Sequence, residues 1–431
     1  RDVPGRTLGP CPRAFAGLPP MQTPLHLFDA YGVELEYMLV DRETLAVAPI
    51  CDRVLAAEAG EPVSELERGA IGWSIELAAH VLELETNGPT RRLDADKAHD
   101  FTRDLRRVDE IAAGFGARVL PTAMHPLMDP VRDTTTWGED RPIYAAFDRI
   151  FGTASHGFSN LQSCHLNLPF HGDDEFHRLH AAIRPVLPLL PGLAASSPIS
   201  EGKVTGMLDT RLRVYRDNQR KLGSIIGKVI PESVTSAHEY EEQILRPIYN
   251  EIAPLDPDGI LQHDWLNFRG AAAHFDRGSI QIRLLDIQET PKADLAIVRL
   301  VAEVVRALSE ERWVPLHELD RLSTGMLAGL LDEAITHGEH FVLKAESLLR
   351  ALGYDGHEAT LADLWAHLVE TLVIEEGTVQ GLEPELLTIL RKGTLASRIL
   401  GALGPNPSVE AIREVYARIG DCMLQGVMFE A

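Results

Sequence analysis

Several kinds of site are ruled out by what this chain has little of. Cysteine is scarce: Cys11, Cys51, Cys164 and Cys422 are scattered and form no CxxC pair. That pattern predicts reduced thiols in a cytoplasmic protein, not a disulfide framework. No apolar run approaches the ~18 residues of a membrane span, so no membrane partner is expected. Positive charge is outweighed, with 41 Lys and Arg against 64 Asp and Glu and a formal net charge of −23. A nucleic-acid partner calls for a basic footprint, so none is expected. An anionic small substrate stays open, because local arginines or a metal override a global field. Familiar catalytic motifs are missing too. Gly223-Ser224-Ile225-Ile226-Gly227-Lys228 is one residue short of a P-loop and runs into Val229 where Ser or Thr is needed. No GxGxxG follows a strand, and there is no HExxH or GxSxG. His337-Gly338-Glu339-His340 sits at a helix break and reads as structural.

What is present is carboxylate on strands. In Gly32–Val40, Val33, Leu35, Tyr37 and Leu39 alternate with Glu34 and Glu36, which share a face. Two carboxylates about 5 Å apart repel by roughly 3 kcal/mol at an effective dielectric near 20. A buried pair therefore calls for a cation, and carboxylate oxygens select hard ones such as Mg²⁺ or Mn²⁺. Three further strands repeat the theme. Glu83 and Glu85 share a face of 80–86, Ser163, His165 and Asn167 one of 158–168, and Ser279, Gln281 and Arg283 one of 279–286. If these strands are neighbours, they form a polar trough suited to phosphoryl transfer, with metal on the carboxylates and Arg283 facing an anion. Cys164 falls on the opposite face and reads as a core thiol.

With 431 residues, 45% of them hydrophobic, the chain has ample material for a core. Residues 1–20, rich in Arg, Pro and Gly, read as a leader outside the fold. Residues 21–431 are expected to form a single catalytic domain: 21–291 carry the sheet and active site, and 292–431 are successive amphipathic helices packed on it. Helices are expected near 94–113, 174–190, 293–309, 383–402 and 408–426. The expected class is α+β, a mainly antiparallel sheet with one polar face covered by helices.

Taken in order, five motifs resemble the glutamate–cysteine ligases of the bacterial and plant-type branch, with their carboxylate–amine ligase relatives. They are Gly32-Val33-Glu34-Leu35-Glu36, Leu82-Glu83-Leu84-Glu85-Thr86, Cys164-His165-Leu166-Asn167-Leu168, Ser196–Lys203 with Gly206 and Arg211, and Ile282-Arg283-Leu284-Leu285-Asp286. The resemblance implies a glutamine-synthetase-like fold, whose curved antiparallel sheet forms an active-site funnel. It implies ATP and Mg²⁺ (or Mn²⁺) as cofactors, and small-molecule substrates: glutamate or another amino acid, and an amine such as cysteine. It implies phosphorylation of the side-chain carboxylate of glutamate, then attack of the cysteine amine on the acyl phosphate, a step of glutathione biosynthesis. By position, Glu34, Glu36, Glu83 and His165 match metal ligands. Asn167, Gln281 and Lys203, with His165, fall at cofactor-binding positions. Arg211, Arg269 and Arg283 match catalytic arginines, and Glu76 aligns with an acidic position before the second carboxylate strand. One departure stands out. The family carries Glu two residues before the last arginine, and this chain has Gln281, which implies weaker binding of one metal. A different amine substrate, and a non-catalytic relative that binds nucleotide or an amino acid, stay open. So does a homodimer.

Overall fold

Strand β1 (Gly32–Asp41) is the centre of the architecture, in a computed structural model that describes residues 24–137, 142–218, 221–379 and 381–431. The leader expected at residues 1–20 lies outside the described residues. Around β1 are β2 (Glu65–Arg68), β3 (Ile71–Ile75), β4 (Val81–Thr86), β5 (Ala117–Leu120) and β6 (Ser163–Pro169). A small hairpin follows, β7 (Ile199–Ser200) with β8 (Lys203–Val204). The sheet is completed by β9 (Ala271–His274) and β10 (Ser279–Asp286). The eight-stranded sheet has the order β2-β3-β4-β1-β6-β10-β9, with β5 pairing the second half of β1. Every pairing in it is antiparallel, and the sheet is open.

The alternation in β1 gives the sheet its two faces. Val33, Leu35, Tyr37 and Leu39 join one apolar core with Trp73 and Leu84, and with Phe101 and Leu105 from helix Ala95–Ala113. Asp94 caps that helix, its side chain accepting from the Lys97 amide. Helix Pro291–Ser309, capped by Thr290 with Pro291 in its first turn, packs against helices Ala95–Ala113 and Gly172–Val186. The other face is polar only at its centre. Beyond Glu36 it continues with Met38 and Val40, which cluster with Ile412, Val415 and Ile419 of the last helix, Val409–Gln425. Apolar side chains therefore close one end of the polar trough.

Differences from the sequence reading have local causes. The segment 383–402 is two helices, Glu383–Lys392 and Leu395–Leu403, because Gly393 takes φ 88° and Thr394 caps a new start. The β2–β3 hairpin was not anticipated: its strands are short, and they turn at Gly69, whose φ is 66°.

Candidate active site

Strand register decides which polar residues meet. Across β1 and β4, Glu34 lies opposite Glu85 and Glu36 opposite Glu83. On the other side Glu34 pairs with His165, while Asn167 of β6 pairs with Gln281 of β10. Ser74 of β3 faces Glu83. The four polar faces read from the sequence thus form one continuous floor. The β10–β6 register shifts between Ile282 and Leu285, an irregularity that re-aims the intervening residues. There Arg283 turns over the carboxylates.

Glu34 is fully buried and surrounded by donors. His165 Nδ1 lies 2.8 Å from one oxygen and Asn167 Nδ2 donates to the other at 2.8 Å. The Gln281 amide donates to both, at 3.0 and 2.9 Å. Burial pushes this carboxyl up, but His165, Asn167 and the charge of Arg283 outweigh it and hold it below its ordinary value. Gln281 also accepts from Arg283 Nε at 2.6 Å, so one neutral amide joins carboxylate and guanidinium. Glu36 accepts from the Ser163 amide at 2.6 Å and its hydroxyl at 2.9 Å.

Glu83 and Glu76 lack comparable support. Ser74 donates to one Glu83 oxygen at 3.0 Å, while the other is buried with no hydrogen-bond partner. Burial, then the charges of Glu34 and Glu76, push the Glu83 carboxyl well up. Burial and the charge of Glu36 push Glu76 up to about 8. The cluster is therefore short of cations. Donor atoms of Glu34, Glu83 and His165 lie within 4.8 Å of one another, as do those of Glu36, Glu76 and Glu83. Two triads sharing Glu83 fit hard divalent cations, and the orphaned Glu83 oxygen is the atom such an ion would satisfy.

A cavity of about 230 Å³ lies over this floor. Glu36, Glu76, Glu83, His165, Gln281 and Arg283 line it from the sheet. Phe147, Phe158, Trp265 and Phe268 line it from helices and loops, and Phe147 stacks on Phe268 at 6.3 Å. The sequence reading missed these aromatics, since nothing in their spacing relates them. Glu76 had a signal: Gly72, Ser74 and Glu76 alternate with the buried Ile71, Trp73 and Ile75.

The other residues read from the sequence lie elsewhere. Arg211 is buried in an ion pair with Asp286, which also accepts from the Ser196 amide and the Ser197 hydroxyl, both at 2.8 Å. A contact to the Arg283 carbonyl, at 3.5 Å, and the charge of Glu36 tie it to the trough. Arg269 forks onto Glu232 at 2.6 and 2.9 Å and reaches the Ser224 carbonyl at 3.0 Å, fastening that loop. Lys203 is exposed on β8 and does not line the cavity.

Comparison with known proteins places the fold and the family. The fold is that of a glutamate–cysteine ligase from Francisella tularensis, solved in complex with AMP: TM-score 0.58 at 13% identity, covering 91% of this chain and 88% of that one. A bifunctional glutathione synthetase from Pasteurella multocida gives 0.57 at 13% identity over 93% of this chain and 53% of its own. An uncharacterized protein of Archaeoglobus fulgidus is 35% identical over 302 residues, 69% of this chain and 80% of its own. The model of glutamate-cysteine ligase family 2 matches residues 30–418, and the chain belongs to that family.

Proposed function

We propose that this chain is an ATP- and divalent-cation-dependent ligase that joins the side-chain carboxylate of glutamate to the amine of cysteine. The observation that carries this reading is the pair of carboxylate triads sharing Glu83 beneath a cavity that Arg283 also lines. Glu34, Glu83 and His165 would hold one cation and Glu36, Glu76 and Glu83 another. Bound there, such ions supply charge neutralisation for the ATP phosphates.

The chain's own residues do the rest. A carboxylate oxygen of glutamate attacks the terminal phosphorus, the bond to ADP breaks, and an acyl phosphate forms. Arg283, steadied by Gln281 and by the Asn267 carbonyl at 3.2 Å, offers positive charge to the transferring group. The amine nitrogen then attacks the acyl carbon. The carbon–oxygen bond to phosphate breaks, and the departing phosphate takes the amine proton, so no protein base is required. The aromatic side chains over the floor exclude water that would hydrolyse the acyl phosphate.

A second reading keeps the mechanism and changes the amine. The cavity presents Phe147, Phe158, Trp265 and Phe268 beside its carboxylates, which favours an amine with an apolar body over cysteine. One experiment separates the two. ADP release is measured with ATP, Mg²⁺ and glutamate across the amino acids and a set of aryl and alkyl amines, with Glu34→Ala as control. Cysteine-dependent release lost in the variant supports the first reading, and release with an apolar amine alone supports the second. No release with any pair overturns both.

A further inference from the structure

A larger cavity, of about 690 Å³, lies away from the trough, and the proposed reaction does not use it. Its walls are the turn after β1, the segment 125–133, the β7–β8 turn, and the start of helix Val409–Gln425. The last two walls touch: a Cβ placed on Gly202 would stand 3.6 Å from Val409 Cγ2 and 3.7 Å from Leu127 Cδ2. Its volume is in the ordinary range for a small-molecule site, roughly 300–1,000 Å³.

The chemistry of the lining is mixed in a particular way. Leu45, Leu127, Met128 and Val409 give it an apolar body. Charges of both signs stand on the rim, some satisfied within the wall. Arg132 is forked onto Asp133 at 2.6 and 2.7 Å. His125 is neutral: its Nε2 lies 2.7 Å from the Leu45 carbonyl and its Nδ1 accepts from the Leu127 amide at 3.2 Å. Arg413 donates its Nε inward, to the Thr44 carbonyl at 3.0 Å, and its charge acts on Glu410 one turn earlier, but its two terminal nitrogens make no hydrogen bond among the described residues. Glu201 uses one oxygen towards His156 at 3.2 Å. Arg413 and Glu201 are on touching walls, yet form no ion pair with each other. Leu45 and Glu201 also hold positive φ, 56° and 49°, which side-chain-bearing residues adopt only under surrounding constraint.

We propose that this cavity binds a small zwitterion with an apolar body, an aliphatic amino acid or dipeptide, its carboxylate on Arg413 and its ammonium on Glu201. The class follows from the lining: separated charges of opposite sign fix the two termini, and the apolar wall takes the side chains. The cavity wall also runs on into the trough. Past Asp133, the Thr135 carbonyl accepts from the Ala79 amide at 2.9 Å, and Trp137 Nε1 donates to the Glu76 carbonyl at 2.6 Å. A ligand beside Asp133 is thus four residues along the chain from Trp137, whose indole is bonded to the backbone of the triad residue Glu76.

The test is calorimetric titration of the whole chain with leucine and with leucyl-leucine, the two sources this chemistry allows. N-acetyl-leucine and leucinamide, each lacking one charge, serve as controls. The expected result is binding of one of the first two, weakened about tenfold when either ligand charge is removed, the size of one lost charge-assisted hydrogen bond. Arg413→Ala and Glu201→Gln should weaken it similarly, the second without disturbing the helix contact. Arg283→Ala, in the trough, should leave it unchanged. No binding of either probe overturns the proposal, as do equal binding of the capped forms and survival in both cavity variants. Binding lost in Arg283→Ala but kept in Arg413→Ala would assign the ligand to the trough and overturn it too.

Discussion

Gln281 is the residue where this chain departs from the pattern it resembles, and its contacts show what the departure does. Its amide donates to both Glu34 oxygens and accepts from Arg283, so Glu34 is satisfied without a cation at that point. Gln281→Glu would turn two donated hydrogen bonds into a facing pair of carboxylates. The expected outcome in urea denaturation is a loss of about 1–3 kcal/mol in chelator-treated protein, restored by Mn²⁺, with tighter Mn²⁺ binding than wild type. Unchanged stability and affinity would remove Gln281 as the relevant difference. Glu83 predicts the opposite. Its second oxygen is orphaned among like charges, so Glu83→Gln should leave metal-free stability equal or higher while ADP release falls about a hundredfold. Most of these residues were legible because strand alternation says which side chains share a face. It does not say which cations are already held. Arg211 and Arg269 stand in recognisable motifs, yet each is committed to a carboxylate, Asp286 or Glu232, that spacing could not reveal.

Elements show a similar division. β10 was legible because polar and branched apolar residues alternate from Ser279 to Leu284, while the adjacent Leu284 and Leu285 fall at its register irregularity. β2 and β3 were not, since four and five residues around a glycine turn carry too short a pattern. Helix Gly172–Val186 carries a different signal, visible only in packing. Its His180 is buried against Phe176 and Tyr240, ring centroids 5.2 and 6.1 Å away, and neither ring nitrogen has a hydrogen-bond partner. Burial, then the charge of Arg184, lowers it from 6.5 to about 3. The unfolded chain therefore takes up this proton first. The stability it contributes is complete above pH 6.5 and is lost as pH falls towards 3. His180→Phe should move the acid-unfolding midpoint, followed by circular dichroism, to lower pH. No movement would mean that this ring does not govern the acid limb.

For the molecule as a whole, the packing of the helical tail on the sheet matters most. Leu361, Leu364 and Trp365 belong to the same core as β1, so we propose that the described chain unfolds as one unit. Urea unfolding followed by tryptophan fluorescence and by circular dichroism should give coincident transitions; two separated ones would divide the chain. The tail is also tied by a buried ion pair, Arg398 with Glu289, and Arg398 Nη1 donates to the Phe429 carbonyl at 2.7 Å. Arg398→Met strands a buried carboxylate and should cost about 3–5 kcal/mol. The sequence foretold helices here but not this tie, whose partners lie 109 positions apart.

The pairing of β1 with β4 has a kinetic side. Glu34 meets Glu85 and Glu36 meets Glu83 in the step that joins these strands. Like charges placed directly opposite oppose strand association. This central strand pair therefore associates against its own charge wherever His165, Gln281 and Arg283, which come from β6 and β10 far along the chain, are not yet in place. Divalent cations present during refolding would screen that encounter. They should raise the folding rate in stopped-flow measurements and leave the unfolding limb of the chevron less affected, so the ions would act as a nucleation aid as well as a cofactor.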